Sequence, residues 1–138
     1  MDYSTFKLNN FYIKKDSTLP ELKYPLSQKV REQYDLTDDM LENVAVTFSM
    51  IDADTGLYRI ANVAANLVIS NDRVAQPDEL QYTLMYRFKL SQTANAGRYL
   101  GEFVVDILGE NGCGKIKFPV DGEINILISS SITKTTVI

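Results

Sequence analysis

Leu80-Gln81-Tyr82-Thr83-Leu84-Met85-Tyr86-Arg87-Phe88-Lys89-Leu90 decides the fold class of this chain. Leu80, Tyr82, Leu84, Tyr86, Phe88 and Leu90 are apolar, with Gln81, Thr83, Arg87 and Lys89 between them and Met85 as the one apolar intruder. Successive side chains of a strand point to opposite faces, so this period of two predicts a strand with one buried and one wet face. Such one-sided strands belong to antiparallel sheets that cover a single core.

The same rule extends in both directions. Downstream, Tyr99, Gly101, Phe103, Val105 and Ile107 share a phase, with Arg98, Glu102 and Asp106 opposite. Ser91-Gln92-Thr93-Ala94-Asn95-Ala96-Gly97, between the two strands, reads as a loop. Gly109-Glu110-Asn111-Gly112-Cys113-Gly114 contains Asn-Gly, a hairpin signal. Ile116 and Phe118 then form a short strand ended by Pro119, and Asp121-Gly122 turns the chain into the alternating Ile124-Asn125-Ile126-Leu127-Ile128.

Upstream, Val44, Val46, Phe48 and Met50 alternate with Ala45, Thr47 and Ser49 before the turn Asp52-Ala53-Asp54-Thr55-Gly56. Ala65-Asn66-Leu67-Val68-Ile69 is a further strand, closed by Ser70-Asn71-Asp72. Phe6 and Leu8 share one phase and Phe11 and Ile13 the other, which suits a bulge or bend at Asn9-Asn10. Residues 22–26 are extended, and Pro25 confines them to a sheet edge or to the end of a pairing. Only residues 37–42 read as helical, a short turn opened by a Thr or Asp cap.

Seven or eight short antiparallel strands with regularly spaced turns predict an all-β sandwich. The chain has 138 residues, one domain's worth. A domain of that size buries roughly 68–70% of its unfolded surface, enough for a core without metal or disulfide. The expected organisation is one sandwich over residues 1–128, with an N-terminal arm at 1–10 and a β-prone C-terminal arm at 129–138.

Composition narrows the chemistry. The chain contains no histidine and a single cysteine, Cys113. Triads built on histidine, histidine-containing zinc motifs and an internal disulfide are therefore excluded. Net charge is −4, with no basic stripe interleaved with aromatics, which argues against nucleic-acid partners. No apolar run has the length of a membrane span, and Met1-Asp2-Tyr3-Ser4-Thr5 lacks the basic and apolar regions of a signal peptide, so synthesis in the cytoplasm is expected.

Four local patterns bear on chemistry. Gly109 to Lys115 has the glycine and lysine spacing of a phosphate-binding loop, but Ile116 stands where the magnesium-holding hydroxyl belongs and a strand follows instead of a helix. Asp52 to Gly56 opens like a calcium loop, yet Leu57 and Val63 occupy the positions of the required glycine and glutamate. Glu32, Asp35, Asp38, Asp39 and Glu42 form an acidic cluster, read either as paired carboxylates for glycoside hydrolysis or as a solvated turn. Cys113 has only Lys115 nearby to activate a thiolate. Tyr58, Tyr82, Tyr86 and Tyr99 are expected in the core or half-buried.

Three stretches carry a resemblance. Residues 12–20 (Tyr12-Ile13-Lys14-Lys15-Asp16-Ser17-Thr18-Leu19-Pro20), Asp35-Leu36-Thr37, and Val44 to Met50 running into Asp54-Thr55-Gly56 resemble the immunoglobulin-like domain of tailed-phage virion proteins. That module occurs at the N-terminus of baseplate upper proteins and in small virion proteins. Tyr82, Ala96-Gly97-Arg98-Tyr99-Leu100-Gly101-Glu102-Phe103, Phe118-Pro119 and Ile124-Asn125-Ile126 continue the pattern, which spans roughly residues 11–128. The chain departs from it over residues 29–42, which are longer and more charged than the direct turn of the family.

The resemblance implies an immunoglobulin-like sandwich that acts as an adaptor or decoration in a virion assembled in the host cytoplasm, binding other virion proteins; the sheet edges and β-prone ends add copies of itself as an expected partner. It implies no enzyme activity and no cofactor, and it brings no catalytic, cofactor-binding or metal residue. Phe6, Leu8 and Phe11 at one end, and Ile132, Val137 and Ile138 at the other, are the expected assembly contacts, because apolar arms mark binding surface and can add a strand to an open edge. The alternative is a carbohydrate-binding module for host-surface recognition, with tyrosines as platforms.

Overall fold

The alternation at Val46, Phe48 and Met50 and that at Phe103, Val105 and Ile107 meet at the centre of the molecule. In the computed structural model, which describes residues 10–71, 80–109 and 114–130, β3 (Val44–Asp52) pairs antiparallel with β6 (Gly97–Ile107) along its whole length. Around this pair run β1 (Asn10–Lys14), β2 (Leu22–Leu26), β4 (Tyr58–Asn71), β5 (Leu80–Tyr86), β7 (Gly114–Phe118) and β8 (Ile124–Ser129). The eight strands follow the order β1-β8-β6-β3-β4-β5-β2, with β7 beside β8 on the same flank of β6. The fold is all-β.

β4 belongs to two sheets. Its first part pairs with β3 as far as Ala65, and from Asn66 onward it pairs with β5. The front sheet holds β1, β8, β7, β6, β3 and the start of β4; the back sheet holds the rest of β4, then β5 and β2. The neighbours β3-β6-β8 and β4-β5-β2 reproduce the C-F-G and D-E-B pairings of the immunoglobulin sandwich. Tyr99 adds a detail found in such domains: its hydroxyl donates to the carbonyl of Asn95, four residues upstream, at 2.9 Å.

The core sits where the inward phases of the two sheets meet. Phe48 stacks on Tyr86 at 4.7 Å and contacts Phe103 at 5.0 Å and, edge on, Phe88 at 5.9 Å. Each such aromatic pair adds about 0.5–1.5 kcal/mol beyond burial itself. Gly101 provides the room: a Cβ there would lie 2.7 Å from Ile126 and 2.9 Å from Phe48.

Several expectations are corrected. The strands are not all antiparallel, because β1 runs parallel to β8, Asn10 opposite Asn125 and Lys14 opposite Ser129. A parallel pair needs a long crossover, and here the whole intervening domain supplies it. Asn10 and Ser129, assigned to the two arms, are strand residues, and residues 1–9 and 131–138 lie outside the described residues. Beside the expected helical turn, found as α2 (Asp38–Leu41) under a Thr37 cap, stands α1 (Gln28–Gln33), capped by Ser27. Residues 91–97 are not simply a loop: Leu90–Thr93 form a 3₁₀ turn. Buried Thr93 accepts from the Ser17 N–H and donates to the Ser17 carbonyl, tying that turn to the exit of β1.

Pro25 does lie in an edge strand, β2, as its missing N–H requires. Tyr82, Tyr86 and Tyr99 are buried as expected, whereas Tyr58 is 68% exposed. The reason is a pair of register shifts. Asn62, at φ +50°, lies at the first shift of β4 on β3, so Ile60 points inward before it and Val63, Ala65 and Leu67 after it. A second shift, between the pairs Met50–Ile60 and Ile51–Tyr58, breaks the alternation again and turns Tyr58 outward opposite Ile51.

Candidate functional site

The outer surface of the front sheet carries a band of apolar side chains where alternation would place polar ones. Leu100 of β6 lies opposite Ile51 of β3, and Ile51 lies opposite Tyr58 of β4. One step along the strands, Tyr12 of β1 lies opposite Leu127 of β8, which faces Arg98 of β6. Leu127 and Leu100 are diagonal neighbours, within reach of long side chains. Tyr12 is 62% exposed and Leu127 41%, while Leu100 and Ile51 are half-buried. Leu57, next to Tyr58, extends the band and is also exposed. Scattered exposed apolar residues are ordinary, but a band crossing five adjacent strands marks a contact surface.

A second constellation lies under α1 and α2. Arg31 is buried at 8% exposure, its Nε donating to the Leu26 carbonyl at 3.0 Å and its guanidinium lying 4.7 Å from the centre of the Tyr82 ring. Asp38 accepts a 2.6 Å hydrogen bond from the Tyr82 hydroxyl and stands 3.9 Å from Arg31. Burial, then the hydrogen bond and charge of Asp38, push the Tyr82 phenol up to about 12. The group closes one end of the core around a cation, an arrangement that the alternation pattern does not reveal. The only sequence signal is the charged excess over residues 29–42.

The other sequence candidates are dispersed. Glu32, Asp35, Asp38, Asp39 and Glu42 are all exposed, spread over α1, α2 and the bend between them, with Asp38 held by Tyr82 and Arg31. Asp52 caps its own turn, accepting from the Asp54 N–H at 2.8 Å and the Thr55 N–H at 3.0 Å. These bonds, that from Thr55 foremost, hold its carboxyl below the usual range. Lys115 sits in β7 and lies 3.7 Å from Asp106 across the ladder. Among the described residues, no group of three or more Asp, Glu or Cys side chains is disposed to hold a metal.

Phe11 packs inside the domain, half-buried and stacked on Phe88 at 5.8 Å. Phe6, Leu8, Ile132, Val137 and Ile138, as well as Cys113, lie outside the described residues. Three shallow grooves among the described residues have volumes of about 270, 270 and 160 Å³. All three fall below the roughly 300–1,000 Å³ of small-molecule sites.

Fold and surface together define an all-β domain of two sheets with an apolar band on its front face. The chain matches no protein-family model, no curated protein and no solved structure. No helix among the described residues is long and apolar enough to cross a membrane.

Proposed function

We propose that this protein is a non-catalytic structural component of a tailed-phage virion, an adaptor or decoration that works by docking to other virion proteins. The observation that carries the reading is the band of Tyr12, Leu127, Leu100, Ile51 and Tyr58 on the front sheet. Burying such a face on assembly gains roughly 25 cal/mol per Å² of apolar area removed from water. The β3-β6-β8 and β4-β5-β2 arrangement and the Tyr99 corner support the likeness to the immunoglobulin-like phage domain.

The test is co-assembly. Tagged protein, expressed with the products of its neighbouring reading frames, should co-sediment with purified particles on a density gradient. Replacing Tyr58 and Leu127 together by serine should release it. Particles that assemble and never retain the tagged chain would overturn the proposal.

A second reading is host-glycan binding, favoured by the exposed rings of Tyr12 and Tyr58, since aromatic faces serve as sugar platforms. Saturable binding of the isolated protein to a glycan array, lost in Tyr12→Ala and Tyr58→Ala, would establish it in place of the first.

A further inference from the structure

The front face carries charges as well as apolar residues, and their order is self-complementary. Along β6 the outward residues run Arg98, Leu100, Glu102, with the cation and the anion equally spaced on either side of Leu100. Two residues of strand separate each from Leu100, about 7 Å, so the pair cannot close on itself. No described residue forms an ion pair with Arg98 or Glu102.

We propose that the occupant of this face is a second copy of the same chain, docked front sheet to front sheet about a two-fold axis that follows the row Leu100–Ile51–Tyr58. Half a turn about that line sets Leu100, Ile51 and Tyr58 each against its own counterpart. It also sets Arg98 against Glu102 of the partner subunit, and Glu102 against Arg98 of the partner subunit. A two-fold running along β6 instead sets Arg98 on Arg98 and Glu102 on Glu102, and like charges reject that alternative. An isologous contact demands such a self-complementary patch, and sheets packing face to face come within about 10 Å. The apolar row supplies the attraction and the two charge pairs set its direction.

The inference rests on reading the front face as a docking surface, and it names what docks there. Sedimentation velocity of the full chain at micromolar concentrations should give twice the 15.6 kDa chain mass. Arg98→Glu and Glu102→Arg, each alone, should raise the dimer dissociation constant on the order of tenfold or more. Combined, they should return it to near the original value. Circular dichroism should show each variant folded, because both positions lie on the outer face of the sheet. Independently, Tyr58→Cys in a Cys113→Ser background should cross-link to its own counterpart with a short bis-maleimide, while Ala45→Cys, far from the axis, should not.

A chain that stays monomeric at every concentration, or a dimer indifferent to the single reversals, overturns the proposal. A protein that joins particles yet remains monomeric sinks this inference and spares the virion reading. A dimer with the expected charge dependence that never enters particles does the reverse.

Discussion

The Tyr82 hydroxyl donates to the Asp38 carboxylate across 2.6 Å, joining the central strand of the back sheet to the helical connection that covers it. The unfolded phenol titrates near 10.0 and the folded one is pushed up to about 12. Between those values the folded chain holds a proton that the unfolded chain releases. This contribution is therefore fully present below pH 10.0 and is lost as pH rises through about 12. Urea denaturation across alkaline pH should show stability falling in that window, and Tyr82→Phe should flatten the fall. At neutral pH the same variant should cost about 1 kcal/mol, a modest figure because Asp38 is largely exposed.

Arg31 should tolerate neither truncation nor the usual substitute. Arg31→Ala leaves the Leu26 carbonyl without its donor and uncovers the Tyr82 ring, at a cost of about 1–3 kcal/mol. Arg31→Lys keeps the charge but loses the planar fork that reaches Leu26 while stacking, so most of the loss should remain. Equal stability of the lysine variant and the original chain in urea would show that charge alone matters there.

Gly101 is fixed by space and not by backbone conformation. Gly101→Ala drives a methyl into Ile126 and into Phe48, whose ring is held by Tyr86, Phe88 and Phe103. Overpacking of this kind costs about 1–3 kcal/mol. The thermal midpoint should fall, and ring resonances of Phe48 should shift in NMR spectra.

Asn62 holds the bulge of β4, its N–H donating to Ser49 Oγ at 2.8 Å. Asn62→Val should cost about 1–3 kcal/mol, because a β-branched residue resists positive φ. Asn62→Gly should leave the unfolding free energy within roughly 0.5 kcal/mol of the original. A valine variant as stable as the original would mean that the register shift does not depend on this conformation.

Strands whose burial repeats without interruption were legible in the sequence. The inward phase of Tyr82, Leu84, Tyr86 and Phe88 holds, though the strand itself ends at Tyr86 and Leu90 turns outward. Tyr58 to Ala64 escaped because the bulge inverts the phase at Asn62 and because alanines weaken the contrast between faces. α1 escaped because its one buried residue is a cation, which no apolar period marks. The parallel alignment of β1 with β8 escaped for another reason: alternation says which way side chains point and nothing about which strand lies alongside.

The candidate face divides in the same way. Tyr12, Leu127 and Tyr58 stand in different segments, and only the pairing register gathers them into one band. Phe11 drew notice as a terminal apolar residue, yet its contact with Phe88 turns it inward. Sequence identifies apolar residues; the ladder decides which of them become surface.

The fourteen residues of β4 are stitched to β3 at one end and to β5 at the other, which leaves the molecule no seam between its layers. Loosening either layer tugs on the other through an unbroken run of backbone. Heat or denaturant should therefore meet one melting unit instead of two, and a nick within β4 would injure both halves at once.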